Sequence, residues 1–526
     1  MSPLKIIVTD PIAPEGLAVL REAGIQADVK TDLSTEALKA ALPEYDGWII
    51  RSGTKATREL IEAATDLKVI GRAGVGIDNI DVDAATERGV VVMNTPYGNT
   101  LSVAEHTIGL MLALSRHVAT GTASLRNGQW LRKELKGVEV AGKTLGIVGL
   151  GRIGKEVARR AQGLDMKVVG SDPFISADVA KGLGIELLPL DQLWPRVDFL
   201  TVHVPLTPKT KGIIGSEAFQ KIKKGARILN VARGGVVDEK ALLAAITSGT
   251  VAGAALDVFE SEPPKGNPLI DRPEVIGTPH LGASTAEASI RCGVEVCEQV
   301  AAYLVKGEAQ NAVNLAASPD PQTAPYLPLA EALGAWAVQL VDGQPKRIML
   351  QTGGDAGKAQ SALLLDAALK GLLEIAKGGG RVTLVNARML AGEMGIQAEA
   401  SVEPGAVDYP SLVVVTLETD DGNVRVSGTN LGKLGPRIVD VEGYEVEVKP
   451  HGRFLVLRHT DEPGTVSRVS GLLGDHDINI AQMVVGRIAP RGKAISIIRI
   501  DDPVPDAVLE YLTTSRRFER VHRVEV

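Results

Sequence analysis

Cysteine is almost absent, with two in 526 residues, Cys292 and Cys297, both inside the helical-looking run ASIRCGVEVCEQVAAYL. Two thiols without companion ligands exclude a disulfide framework and give no metal cluster, so they read as small buried side chains in a reducing compartment. Aromatic residues make up only 3% of the chain, which leaves Ala, Val, Leu and Ile to fill the cores. No apolar run reaches the roughly 20 residues that a membrane helix needs. Basic residues occur in pairs at most or briefly interleaved, as in KIKKG at 221–225, and the net charge is −7, so no footprint for nucleic acid is present. The start, MSPLKIIVTD, meets an acid at Asp10 after a short apolar run and reads as a first strand, not a signal peptide. A cytoplasmic protein with no membrane and no nucleic-acid partner is expected.

What the chain does have is glycine, 57 of them, and an alternation of short strands with helices. KIIVTD, GWIIRSG, KVIGRAG and VVVMNTP are apolar strands separated by helical stretches, the pattern of a parallel sheet covered on both faces. A long helical run, SVAEHTIGLMLALSRHVATGTASLRNGQW, leads into a second series: KTLGIVGLG, KVVGSDP, VDFLTVHVP, ARILNVARG, AGAALDVF and EVIGTPH. Six strands suffice for a dinucleotide-binding sheet. A helix over 285–306 follows, then the Pro- and Ala-rich NAVNLAASPDPQTAPYLP, which marks a boundary. Residues 325–450 mix helices with strands, and the last stretch reads strand, helix, strand, strand, helix, strand, the split βαββαβ order. The expected fold class is therefore α/β: two doubly wound parallel-sheet units, then an α+β unit and a βαββαβ tail.

The chemistry gathers in the second series. GIVGLGRIGKEV places Gly149, Gly151 and Gly154 in GxGxxG spacing between an apolar strand and a helix. There the first glycine permits a tight turn, the second lets a pyrophosphate approach the backbone, and the third lets helix and strand pack closely. Arg152, within that loop, could also meet the pyrophosphate. Asp172, about 20 residues on at the end of the next strand, would accept from a ribose hydroxyl and repel a 2′-phosphate, which favours NAD over NADP. Arg233 follows ARILNVA, Glu262 lies in ALDVFESEPP and His280 in EVIGTPHLGAST. An imidazole suits removal of a hydroxyl proton as a hydride leaves carbon, a carboxylate beside it fixes its tautomer, and a guanidinium grips a substrate carboxylate.

The segments GIVGLGRIG, NVARGGVVDEKAL, ALDVFESEPP and TPHLGAST resemble the D-2-hydroxyacid dehydrogenase family. The resemblance implies NAD as cofactor and Arg233, Glu262 and His280 as catalytic residues. It adds Ile153, His203, Val204, Pro205, Val231, Ala232, Asp257 and Gly282 to the cofactor contacts. It implies a substrate unit of residues 1–97 and 284–316, an inserted cofactor unit of 98–283, an intervening unit of 317–450 and an ACT-like tail of 451–526. Similarity to the long members of the family implies 3-phosphoglycerate as substrate, oxidised in the first step of L-serine synthesis. Arg51, Arg72 and Arg132 would bind its phosphate, with help from a neighbouring subunit. In the tail, Asp461, Gly464 and Asn479 would meet an L-serine effector, although His459 stands where some serine-sensitive relatives carry an aromatic residue. A homotetramer is implied, with residues 101–130 at an interface. The rival readings are a dehydrogenase of 2-hydroxyglutarate or glyoxylate, and a non-catalytic NAD-sensing corepressor-like protein.

Overall fold

The computed structural model describes residues 3–317, 319–377, 381–403 and 409–526. The first sheet has five parallel strands in the order Gln26–Val29, Lys5–Val8, Gly47–Ile50, Val69–Arg72, Val91–Asn94. Its central strands are apolar throughout, as a sheet buried on both faces requires: every residue of Gly47–Ile50 is buried. The strand Gln26–Val29, QADV, is absent from the apolar pattern because it lies at the sheet edge and none of its residues is buried. Helix Ala286–Lys306 returns the chain to this sheet. Its Val296 and Val300 methyls press on Gly71, and its Gly293 carbonyl lies 2.6 Å from where a Cβ on Gly16 would stand. Cys292 and Cys297 are buried in this packing. The Thr285 hydroxyl caps the helix by accepting from the Ala288 amide, an interaction of roughly 1 kcal/mol.

The second sheet has seven strands in the order Val275–Gly277, Val251–Leu256, Ala226–Asn230, Phe199–Val202, Thr144–Val148, Lys167–Ser171, Glu186–Leu187, all parallel. Chain order reverses between Thr144–Val148 and Phe199–Val202, so a crevice opens above the carboxyl ends of those two strands. The seventh strand, only two residues long, is too short to leave a periodic signal. The run expected as one long helix is two, Thr100–Ser115 and Val118–Arg126. Between them His117 takes a left-handed backbone, φ 53°, which no right-handed helix can pass through.

The third sheet orders Gln397–Val402, Pro345–Gly354, Ser411–Thr419, Asn423–Asn430, Pro436–Val441, Tyr444–Val448, with one parallel pair and the rest antiparallel. The tail forms an antiparallel four-stranded sheet, Ile480–Arg487, Lys493–Ile500, Arg453–Thr460, Phe518–Glu525, with helices Thr465–Asp475 and Asp506–Thr514. The two share one core. Trp336 meets Phe454 with ring centroids 4.7 Å apart and donates its indole N–H to the Pro450 carbonyl at 2.8 Å. Both faces of the tail sheet are thereby covered within one chain: one by its own helices, the other by the third unit.

Candidate active site

A cleft of about 550 Å³ lies at the switch point of the second sheet and is walled on its far side by the first unit. Its floor is the glycine loop. Gly149 has φ 93°, a conformation that side chains resist, and a Cβ on Gly154 would lie 2.1 Å from the Gly149 carbonyl oxygen. Around Gly151 a Cβ would meet nothing within 4 Å, so that position faces open space at the start of helix Arg152–Gln162. A diphosphate fits there against the helix amino terminus. Arg152 and Ile153 also line the cleft, and the Arg152 guanidinium stacks 4.3 Å above the ring of Tyr97.

Asp172 stands directly after strand Lys167–Ser171. One of its carboxylate oxygens accepts from the Leu150 amide at 2.7 Å and the other from the Phe174 amide at 2.8 Å, which fastens it to the glycine loop. His203, Val204 and Pro205 continue strand Phe199–Val202 into the cleft wall. Burial pushes the His203 imidazole down to about 3, although part of the residue is open to solvent. Its Nε2 pairs with the Thr201 hydroxyl at 3.0 Å, while Nδ1 is buried without a partner. An orphaned ring nitrogen beside an open glycine loop is what a polar cofactor would satisfy, so the residues present fit NAD.

Val231, Ala232 and Arg233 leave strand Ala226–Asn230 in a turn pinned by Asn230. The Asn230 amide donates to the Arg233 carbonyl at 2.9 Å and its oxygen accepts from the Ala232 amide at 3.1 Å. Asp257, 1% exposed, follows strand Val251–Leu256 and anchors the loop that carries His280. It accepts from the Thr278 hydroxyl at 2.6 Å and from the amides of Leu281 and Gly282 at 2.7 and 2.8 Å. Burial alone would raise the Asp257 carboxyl, but the side chains of His106 and Thr278 and these two amides outweigh it and hold the group below the usual carboxylate range. His106 Nε2 lies 3.3 Å from the Asp257 carboxylate.

His280 itself has φ 55°. A left-handed non-glycine residue costs about 1 kcal/mol and is retained where the surroundings over-determine it, here by its amide donating to the carbonyls of Asp257 and Thr278. His280 Nδ1 lies 2.8 Å from Glu262 Oε2, and Glu262 Oε1 accepts from the Phe259 amide at 3.2 Å. An ionised carboxylate can only accept, so the hydrogen sits on Nδ1 and Nε2 keeps its lone pair. Arg233 and His280 line the same cleft, and Glu262 stands behind the imidazole.

The three phosphate-directed arginines separate. Arg72 ends strand Val69–Arg72, donates Nε–H to Asn79 at 2.9 Å, and is lowered to about 10 first by burial and then by Arg233. Arg51 is held by Pro11 and Ser289 at 3.3 and 3.2 Å. Arg132 is exposed, and none of the three lines this chain's cleft. In the tail Asp461 is tied to Arg487 at 3.1 Å, and Asn479 donates to Asp501 at 2.6 Å. Gly464, φ 89°, precedes helix Thr465–Asp475. No side-chain hydrogen bond joins the three, and none of them lines the cavity of about 290 Å³ beside that helix. His459 is buried, with Nε2 2.8 Å from the Ser496 hydroxyl.

Sequence reasoning missed the cleft residues Gly76, Asp78, Asn99 and Asn94, and His106 behind them. The oxygen of Asn99 is buried with no partner. The only local signal was the polar pair Asp78-Asn79 closing an otherwise apolar turn.

Residues 108–282 match the family model of the D-isomer specific 2-hydroxyacid dehydrogenase NAD-binding domain. Residues 322–442 match the D-3-phosphoglycerate dehydrogenase intervening domain, and 453–512 the ACT domain. A D-3-phosphoglycerate dehydrogenase of Methanocaldococcus jannaschii is 45% identical over 511 residues, covering 96% of this chain and 97% of the relative. Among solved structures, an NAD+-bound 3-phosphoglycerate dehydrogenase of Entamoeba histolytica is 32% identical, with TM-score 0.51, over 60% of this chain and 99% of that one. A glyoxylate reductase of Paecilomyes thermophila is 31% identical, with TM-score 0.55, over 60% of this chain and 99% of that one. Structural likeness over about 60% of the chain is thus common to several hydroxyacid enzymes, whereas the full-length match and the intervening unit select one branch: the chain belongs to the D-3-phosphoglycerate dehydrogenase family.

Proposed function

We propose that the chain oxidises 3-phosphoglycerate to 3-phosphohydroxypyruvate with NAD, and so supplies the carbon skeleton of L-serine. What carries the reading is the pair His280–Glu262 at 2.8 Å on the wall of a cleft that also holds Arg233. Arg233 binds the substrate carboxylate as a two-pronged donor. His280 Nε2 accepts the hydroxyl proton, and Glu262 stabilises the imidazolium that forms. NAD, held in the cleft when bound, would supply the hydride acceptor. Asp257 holds the His280 loop, and Asp172, Gly149, Gly151, Gly154, Arg152, Ile153, His203, Val204, Pro205, Val231, Ala232 and Gly282 form the cofactor's cradle. Arg51 and Arg72 meet the phosphate, and Arg132, exposed in this chain, serves the cleft of a second copy.

The unit division 1–97 with 284–316 around 98–283 gives the cleft a hinge that would exclude water on closing. Exposed apolar residues along 101–130, among them Leu125 at 60% and Trp130 at 77%, support a homo-oligomer, for which we propose a tetramer. L-serine binding at Asp461, Gly464 and Asn479 between paired tails is the regulatory counterpart. No helix among the described residues is long and apolar enough to cross a membrane.

The test is formation of NADH by the purified chain with 3-phosphoglycerate, 2-hydroxyglutarate or glycerate. Selective oxidation of the phosphorylated acid is expected. Preference for either unphosphorylated acid would overturn the substrate, and NAD binding without any oxidation would favour the corepressor-like reading.

A further inference from the structure

We infer that Asp78 is a positioning residue for the reaction: a carboxylate of the first unit aims the Arg233 guanidinium of the second at the substrate carboxylate. The inference rests on the role proposed for Arg233. A guanidinium carries five N–H donors in a fixed planar fork. In Arg233 the Nε–H goes to Asp78 Oδ2 at 3.0 Å and one Nη1 hydrogen to its neighbour's carbonyl, Ala232, at 2.7 Å. Those two bonds fix both the plane and the rotation of the group. They leave Nη2 and the second Nη1 hydrogen as a free edge, the two-pronged face that a carboxylate accepts.

The turn bearing Asp78 is built to stand this close. A Cβ on Gly76 would lie 1.8 Å from Arg233 Nη2, so the guanidinium rests on backbone that only glycine leaves bare. The next residue locks the turn. Asn79 donates to the carbonyls of Arg51 and Thr54, each at 2.6 Å, and accepts from Arg72 at 2.9 Å. Arg72 and Arg233 repel each other, and Asp78 opposes both charges. One carboxylate therefore offsets the repulsion between a guanidinium in the cleft, Arg233, and one behind it, Arg72.

The pair is 155 residues apart in sequence and joins different sheets. Opening a hinge between them would release Arg233, so a correctly aimed clamp exists only when the units are together. Asp78 is two-thirds exposed, and an ion pair so open to water contributes little to folding. Its replacement therefore need not unfold the chain.

The experiment compares the full-length chain with Asp78→Ala and Asp78→Asn. Five quantities are read: KM and kcat for 3-phosphoglycerate, the dissociation constant of oxalate as a bare carboxylate probe, NAD affinity, and the thermal midpoint. Loss of one oriented charged hydrogen bond should raise KM and the oxalate constant together by roughly tenfold in Asp78→Ala. Asp78→Asn, which keeps an acceptor oxygen, should recover part of that loss. NAD affinity and thermal midpoint should stay at wild-type values. Unchanged KM and oxalate binding in Asp78→Ala would overturn the inference, as would tighter binding, which would make Asp78 a competitor for the guanidinium and not its guide. Should the wild-type chain fail to oxidise 3-phosphoglycerate, the functional reading falls, while the oxalate measurement still decides the role of Asp78.

Discussion

The cleft of the second unit and the tail differ in how their candidate residues are spent. In the cleft, a parallel sheet brings the carboxyl ends of its strands to one rim, so Gly151, His203, Arg233, Asp257 and His280 converge although more than a hundred residues separate the first from the last. Polar capacity is left over there: His203 Nδ1 and the Asn99 oxygen have no partner. In the tail, antiparallel strands send successive loops to opposite ends of a sheet whose two faces are already covered. Asp461 and Asn479 are each satisfied by a neighbour, Arg487 and Asp501. The cleft keeps unspent donors and acceptors, whereas the polar candidates of the tail are paired within the chain.

That contrast breaks most visibly at His280. His280→Ala should lower turnover by roughly 10²- to 10⁴-fold with NAD affinity retained, read by steady-state rates and cofactor titration. Near-normal turnover would mean that convergence in the cleft has no chemical meaning. Asp172→Ala should cut the preference for NAD over NADP by about tenfold, the effect of one charged hydrogen bond and one phosphate repulsion. An unchanged ratio of the two kcat/KM values would confine Asp172 to holding the glycine loop. On the tail side, the proposed serine site predicts that Asp461→Ala abolishes the ratio between rates measured without and with L-serine. A ratio equal to that of wild type would leave the tail as an assembly module.

Much of this was legible in the sequence because it is local. The GxGxxG loop is one strand, one turn and one helix, with Gly149 in a positive-φ turn, Gly151 facing open space and Gly154 packed on the Gly149 carbonyl. Arg233, Glu262 and His280 lie in the loops that follow three strands, so reading the strands located them near the carboxyl end of the sheet. What was not legible is contact between distant segments. Nothing in GVGIDN says that Asp78 meets Arg233, and nothing in SVAEHT says that His106 meets Asp257. The tail's strand order was readable, but the burial of its sheet face against Trp336 was not, since that contact links residues more than a hundred positions apart.

The smallest expected effect concerns acid stability. His203 titrates at about 3 when folded and near 6.5 when unfolded. Between those values the unfolded chain takes up a proton that the folded chain refuses, so this contribution is full above 6.5 and is lost as pH falls, by at most about 1.4 kcal/mol per pH unit. The urea midpoint of wild type should therefore decline more steeply from pH 7 to 5 than that of His203→Gln. Parallel declines would show that the ring is solvated in the cleft.

The account stands on His280 and Glu262 acting as one unit, and a double-mutant cycle on turnover tests that most directly. If the carboxylate works only through the imidazole, the variant carrying both His280→Ala and Glu262→Gln should be no slower than His280→Ala alone. Losses that multiply across the two substitutions would contradict it, since Glu262 would then serve the reaction independently of the ring it touches.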